Sequence, residues 1–187
     1  MEPSSSLRLR TLLARACLAV ALAGGTAFAA PGVAPGASLG ALPQSWRDDG
    51  GQPFSLAALG GRPVVVTMAY ANCHRFCPMT MDRLRKLQAT LDAEHRQADF
   101  VIVGLDPDDD DPATWHHYRR SHHLERGNWH FLSGAHDDVA AVAERLGFEF
   151  SKMDEHVMHD THVLLFDTHG VLAGELPSDA TGWPAVQ

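Results

Sequence analysis

Two cysteines, Cys73 and Cys77, have the spacing and the surroundings of a reactive thiolate pair. They follow the β-branched run Val64–Thr67, which has the pattern of a buried strand, and Pro78 then opens a segment of helical period. The pair therefore lies where a strand passes to a helix N-terminus, whose unpaired N–H groups and dipole favour thiolate over thiol. If the loop winds into the first helical turn, the i, i+4 spacing brings both sulfurs to one face of the helix.

Two such thiolates can share a soft metal ion or close into a disulfide. Soft sulfur selects Cu(I), and an imidazole as third ligand would let the same site hold Cu(I) and Cu(II). Zinc usually takes four ligands and an iron–sulfur cluster usually takes four cysteines, whereas the sequence has 3 cysteines. A purely structural disulfide is disfavoured, because it would close a very short loop and restrict the unfolded chain little. Two hypotheses remain open, a copper site of two cysteines and one histidine, and a redox-active pair.

The first 29 residues have the pattern of a signal peptide. A segment with three arginines precedes an Ala/Leu/Val run, and Ala27-Phe28-Ala29 forms a cleavage site after Ala29. The apolar run is shorter than the ~20 residues that span a bilayer. Cys17 lies within this run and would be removed with it. Export predicts a periplasmic protein. The alternative is a retained N-terminal anchor, which would be the one expected contact with a membrane.

The remainder of the chain is predicted to be acidic and to form one domain. Removing residues 1–29 takes away three of 15 basic and one of 23 acidic residues, which leaves 12 and 22 and changes the formal net charge from −8 to −10. This negative charge argues against binding to nucleic acid through its phosphates. Residues 30–44, rich in Ala, Gly and Pro, are predicted to form a flexible linker. Residues 45–187 are sufficient for one domain with a single core.

Strand and helix patterns alternate along the chain, which predicts an α/β fold with helices flanking a mixed sheet. Asp111 is the expected N-cap of one helix and Gly147 the expected left-handed stop of another. A turn at Asp167–Gly170 makes the last two strands antiparallel. The predicted strands are 62–70, 100–105, 129–132, 163–166 and 171–174, with a hairpin arm within 148–153, and the predicted helices are 78–95, 112–123 and 137–146.

Four segments of the sequence resemble, in order and in spacing, the Sco/SenC/PrrC family of copper-handling proteins. They are CHRFCP, GLDPDDDDPATWHHYRRSH, WHFLSG and MHDTHVLLFDTHG, and the resemblance covers about residues 45–177. It implies a thioredoxin-like fold and a copper ion bound by Cys73, Cys77 and a distant histidine. The family places that histidine eleven positions before the glycine of a closing turn, which here is Gly170. The resemblance therefore assigns His159, and His156 and His162 are the register alternatives.

The resemblance also implies a biological role. Members of the family usually deliver copper, as Cu(I), Cu(II) or both, to the dinuclear copper centre of cytochrome c oxidase subunit II. The expected partners are that subunit or another copper-receiving protein, together with a periplasmic thiol reductant or copper donor. Some members instead reduce the cysteines of the centre, which would make Cys73 and Cys77 a catalytic pair. We expect a metallochaperone rather than an enzyme, with the thiol–disulfide oxidoreductase as the alternative.

Two residues depart from the family pattern, and several others could bind a metal. His74 replaces the usual proline and is expected to be an exposed loop residue; Met158 replaces the usual aspartate. Asp108–Asp111 are expected to form a turn and cap the next helix. Met79 and Met81 point in different directions on a helix, so at least one is expected in the core. Five histidines are expected on an exposed, solvated surface: His116, His117, His122, His123 and His130. Arg75 and Phe76, which lie between the cysteines, are also expected to be exposed. Client docking or thiolate stabilisation is the alternative for these two residues.

Overall fold

The computed structural model describes residues 36–72, 77–153 and 156–178, without the side chains of Cys77, Pro78 and His156. The expected signal peptide and the first part of the linker lie outside the described residues. So do Cys73, His74, Arg75 and Phe76, and residues 179–187 at the other end. Within the described ranges, no helix has both the length and the apolar content needed to cross a membrane.

Besides two short 3₁₀-helices, Leu39–Ala41 and Leu56–Ala58, the described residues form nine strands and three α-helices. In chain order these are β1 (Trp46–Asp48), β2 (Pro53–Phe54), β3 (Val64–Ala69), α1 (Cys77–Ala93), β4 (Asp99–Gly104), α2 (Pro112–Ser121), β5 (Trp129–Ser133), α3 (His136–Leu146), β6 (Phe150–Met153), β7 (His156–His159), β8 (Leu164–Phe166) and β9 (Leu172–Glu175). The predicted strands and helices are confirmed, whereas β1, β2 and β7 were not predicted. These three strands are two to four residues long, which is too short for a hydrophobic period to emerge.

The sheet is mixed, as predicted for an α/β protein. Its order is β2-β1-β5-β4-β3-β8-β9, with parallel pairing from β3 through β4 to β5 and antiparallel pairing in the outer pairs. Strands β6 and β7 form a separate antiparallel hairpin. Each parallel step has a helix as its crossover, α1 between β3 and β4 and α2 between β4 and β5.

Helices cover both faces of the sheet because its central strands are apolar on both sides. In β3, Val64 and Val66 belong to the cluster that includes α3, while Val65 and Ala69 belong to the cluster that includes α1 and α2. Every residue of β3 and β4 is buried. A strand buried on both faces is the structure that a continuous β-branched run predicts. Strand β3 therefore gives the cysteine loop a rigid base.

Both predicted helix-end residues are confirmed. The Asp111 carboxylate accepts a hydrogen bond from the Thr114 amide (2.7 Å), and Pro112 follows it as the first residue of α2. Gly147 ends α3 in the left-handed region, with φ of 70°. Helix α1 begins at Cys77, one residue earlier than predicted, so the backbone of the second cysteine belongs to the helix.

The prediction that the flexible linker extends to residue 44 was wrong over residues 37–44. Leu39 and Leu42 are buried in the core, and the Leu39 amide donates to the Gly170 carbonyl (2.9 Å). The amide of Leu172 likewise donates to the carbonyl of residue 37 (2.8 Å), beside the β8–β9 turn. The Ala/Gly/Pro composition suggested mobility, but two leucines suffice to hold the segment against the core by burying apolar surface.

Candidate metal centre

The strand and the helix predicted on either side of the cysteine loop are both present. Strand β3 ends at Ala69, and α1 begins at Cys77 and packs on the sheet through buried residues such as Met81. Cys73 lies outside the described residues, and Cys77 is described only as the first residue of the helix. A helix of 17 residues starting at Cys77 presents its N-terminal N–H groups and the positive end of its dipole to that loop.

Asp110 holds the residues that lead into the cysteine loop, and the sequence did not predict this. Its buried carboxylate accepts one hydrogen bond from the Ala71 amide (2.9 Å) and a second from the Asp106 amide (2.9 Å). Asp110 was expected only to form a turn with its neighbours. The position of Asp110 shortly after the buried strand β4 could have predicted this contact. The carboxyl ends of parallel strands β3 and β4 lie at the same edge of the sheet, so the residues that follow them come close together.

Asp106 connects the same turn to the β6–β7 hairpin. This buried carboxylate lies 2.8 Å from the Lys152 ammonium group, and its hydrogen bond raises the pKa of Lys152. Asp106 thus anchors β6, while Asp110 anchors the approach to the cysteines. The acidic turn therefore links the residues before Cys73 to the hairpin that carries His159.

Burial raises the pKa of Asp110 from 3.8 to about 7, against the opposing effect of its hydrogen bonds from backbone amides. Because the folded pKa lies above the unfolded one, the folded state keeps a proton that the unfolded chain loses. The resulting stabilisation is complete below the ordinary pKa and is lost as the pH rises to about 7.

We therefore expect the stability of the wild type relative to Asp110→Asn to fall as the pH rises from about 4 to about 7, and to level off above that range, since asparagine does not titrate. Urea unfolding of both proteins from pH 4.5 to pH 8, at steps of about half a unit, measures this difference. A difference in unfolding free energy that stays constant with pH would contradict the assignment.

His159, the histidine assigned by the resemblance, ends β7 opposite Phe150 and is half-buried. Its Nδ1 lies 2.5 Å from the carbonyl oxygen of Asp160. A carbonyl only accepts, so Nδ1 carries the proton and the neutral ring has its lone pair on Nε2. A backbone acceptor on one ring nitrogen is the usual way to orient the other nitrogen toward a metal.

The two alternative histidines differ from His159. In His162, Nδ1 lies 2.6 Å from Glu175 and Nε2 lies 3.5 Å from Asp160, so carboxylates flank both ring nitrogens. That arrangement is more typical of a histidine that forms a structural contact between β8 and β9 than of a metal ligand. The side chain of His156 lies outside the described residues. A backbone carbonyl therefore orients the ring of His159, whereas two carboxylates orient that of His162.

The segment that carries these histidines lies at the cysteine end of β3. Strand β8 runs antiparallel to β3, with Val66 opposite Leu164, so the residues before β8 lie beside the C-terminal end of β3. The Thr67 hydroxyl donates to the carbonyl of His162 (2.7 Å), which fixes this arrangement. The chain therefore brings three features to one end of the sheet: the residues before Cys73, the start of α1 and the 159–162 segment.

Within the described ranges, no group of three or more His, Cys, Asp or Glu side chains is arranged to hold a metal ion. His116 lies 3.6 Å from Asp49, the ring of His122 packs on Tyr118, and that of His130 packs on Phe54. His122 and His130 are only partly exposed, because His122 packs on Tyr118 and His130 lies in β5 between β1 and β4. The expectation of exposure was therefore wrong for these two residues.

The acidic run and the methionines behave mainly as predicted. Asp108 and Asp109 are exposed in the turn, and Asp111 caps α2. Met81 is buried in the core, which confirms the prediction for one of the two methionines, and Met79 is 69% exposed.

Comparison with known proteins gives the family. The model of the SCO1/SenC family matches residues 42–186. This chain belongs to the SCO1/SenC family. A protein of Stutzerimonas stutzeri, named for copper binding, is 29% identical over 135 residues, in an alignment that covers 69% of this chain and 65% of that protein. The chain therefore matches slightly less than two thirds of that relative's length.

Solved structures of SCO1/SenC proteins share the fold. Yeast Sco1 with copper bound has a TM-score of 0.67 and 24% identity, covering 77% of this chain and 82% of that one. BsSco, described as a member of the Sco family of cytochrome c oxidase assembly proteins with a disulfide switch, has a TM-score of 0.66 and 20% identity, covering 78% of this chain and 87% of that one. These likenesses confirm the thioredoxin-like fold, a mixed sheet flanked by helices.

Proposed function

We propose that this SCO1/SenC protein is an exported copper chaperone that binds one copper ion through Cys73, Cys77 and His159. The main support for the proposal is that the 159–162 segment and the start of α1 lie at the same end of β3. The tautomer of His159, with its lone pair on Nε2, supports its role as the nitrogen ligand. The names of the S. stutzeri relative and of copper-bound yeast Sco1 support copper as the ion.

The chemistry of the ligands accounts for both binding and release. Two thiolates bind Cu(I) strongly, and one imidazole adds the harder donor that Cu(II) requires. A site with only three protein ligands leaves room for a ligand of the client to approach the ion. Copper then moves by stepwise exchange, in which each client ligand displaces one ligand of the carrier.

The proposed client is the dinuclear copper centre of cytochrome c oxidase subunit II, which the description of BsSco as an oxidase assembly protein supports. Export rests on the first 29 residues, whose basic, apolar and A-x-A segments are those of a signal peptide. The corresponding organisation is a signal peptide (1–29), a linker that ends before residue 37, and a single thioredoxin-like domain.

His159→Ala is the variant that tests the nitrogen ligand. We expect affinity for Cu(II) to fall by about ten- to a hundredfold and affinity for Cu(I) to fall less, because sulfur dominates the binding of the soft ion. Competition titrations with a chelator for each oxidation state measure both affinities. His169→Ala, an exposed histidine in the β8–β9 turn, is the matched control and should bind like the wild type. An unchanged Cu(II) affinity and absorption band in His159→Ala would remove His159 from the site.

A second candidate function is thiol–disulfide exchange with the client. The position of Cys77 as the first residue of α1 favours it, because a helix N-terminus stabilises a thiolate. The Cys73 and Cys77 dithiol would become a disulfide, and the client disulfide would gain the two electrons and two protons as two thiols. A thiol reductant would restore the dithiol after each cycle. With that reductant and without copper, repeated reduction of a small-molecule disulfide by His159→Ala at the wild-type rate would favour this function over copper delivery.

A further inference from the structure

The β6–β7 hairpin has an outer face that carries soft donor residues. Its register pairs Ser151 with Met158 and Met153 with His156. Residues opposite one another share a face of an antiparallel pair, and so do residues two apart on one strand. Positions 153, 156 and 158 therefore belong to the same face. Met153 and Met158 are 64% and 54% exposed.

The other face of the hairpin packs toward the protein. Val157 on that face is buried in the core cluster shared with α3, and Lys152 opposite it pairs with Asp106. These two contacts fix which side of the hairpin faces solvent. The two methionines on the outer side therefore do not stabilise the fold by burial, and their thioether sulfurs are accessible from solvent.

We propose that the outer face of the hairpin is a second Cu(I) site, with the thioether sulfurs of Met153 and Met158 as its two protein donors. Met153 and Met158 are diagonal cross-strand neighbours, about 7–8 Å apart at Cα, a separation that two long side chains can bridge. Thioether sulfur is a soft donor that favours Cu(I) over Cu(II) and zinc. Each methionine side chain has three rotatable bonds, so both can turn toward one ion.

These ligands differ chemically from the cysteine pair. Thioethers carry no proton to lose and form no disulfide, so the outer face binds Cu(I) whether the cysteines are reduced or oxidised. Met158 directly precedes His159, and consecutive strand residues point to opposite faces. Binding at the outer face is independent of the proposed function, whereas its use as a store of Cu(I) beside the main centre rests on that function.

The test uses the full chain with Cys17, Cys73 and Cys77 all replaced by serine, so that thioethers are the remaining sulfur ligands. Anaerobic titration with Cu(I) against a chromophoric chelator should find one Cu(I) per chain, bound more weakly than in the wild type. Met153→Leu or Met158→Leu in this background should weaken binding by at least about tenfold, because leucine keeps the size but lacks the sulfur. Sulfur should appear around copper in X-ray absorption spectra.

Two controls separate the effect from hairpin damage. Phe150→Leu changes an exposed residue of the same hairpin on its other face, and Met79→Leu changes an exposed methionine on α1. Both should keep the affinity of the serine background. Absence of bound Cu(I) in that background, or equal affinity after either hairpin methionine is replaced, would overturn the second site. Unchanged copper affinity of the serine protein relative to the wild type would instead count against the cysteine centre.

Discussion

Replacing either Cys73 or Cys77 with serine should lower the affinity for Cu(I) by at least about a hundredfold. The serine hydroxyl is a hard, neutral donor at neutral pH and does not replace a thiolate toward a soft ion. One cysteine and His159 would remain at this centre, which is too few soft ligands to hold Cu(I) there with the wild-type affinity. Anaerobic competition titration of the reduced variants measures the change.

The matched control for these variants is Cys17→Ser, which removes the cysteine outside the motif. It should bind copper like the wild type, because Cys17 lies in the expected signal peptide. Wild-type affinity in either motif variant would contradict a site that needs both sulfurs. Wild-type affinity in only one of them would reduce the centre to a single thiolate.

Gly104→Ala should destabilise the fold by about 1–3 kcal/mol, because an added Cβ would overpack a site that has no room for it. That atom would lie 2.7 Å from the Cβ of Asp110 and 3.1 Å from Nε1 of the buried Trp115. The Asp110 side chain would have to move, and its hydrogen bond to the Ala71 amide would lengthen or break. We therefore expect weaker copper binding as well as lower stability.

Urea unfolding and copper titration of Gly104→Ala measure the two effects separately. Gly127→Ala is the control, since a Cβ at Gly127 would meet no atom within 4 Å and its φ is not in the left-handed region. This variant should unfold and bind copper like the wild type. Equal stability of the two variants would show that Asp110 does not depend on the close approach at Gly104. Full copper affinity in a destabilised Gly104→Ala would show that Asp110 does not position the cysteine loop.

Much of the fold was predictable from local patterns. The β-branched run of β3 and the apolar run of β4 were recognisable because both faces of these strands are buried. The Asp111 cap and the Gly147 stop were predictable because each satisfies a requirement of its own helix end.

Features that depend on distant residues were not predictable in the same way. Leu39 and Leu42 lie in a segment of linker-like composition and become ordered only by packing on the core. The hydrogen bond from Ala71 to Asp110 joins residues 39 positions apart in the chain. Strand β7 depends on pairing with β6, since a strand of four residues has little pattern of its own.

The candidate site shows the same division. The spacing of Cys73 and Cys77 and their place before a helix are local features, and they pointed to thiolate chemistry without any comparison. His159 is 82 positions beyond Cys77, and its assignment came from the resemblance. The structure adds two observations that spacing could not supply: the 159–162 segment lies at the cysteine end of β3, and the ring of His159 is oriented by the Asp160 carbonyl.

X-ray absorption spectroscopy of the full chain loaded with one equivalent of Cu(II) tests the proposed centre most directly, with His159→Ala measured alongside. We predict two sulfur neighbours and one imidazole around copper in the wild type, at distances typical of Cu–thiolate and Cu–imidazole bonds. The imidazole contribution should disappear in His159→Ala while both sulfurs remain. A wild-type spectrum without sulfur, or an imidazole contribution that persists in His159→Ala, would contradict a centre formed by Cys73, Cys77 and His159.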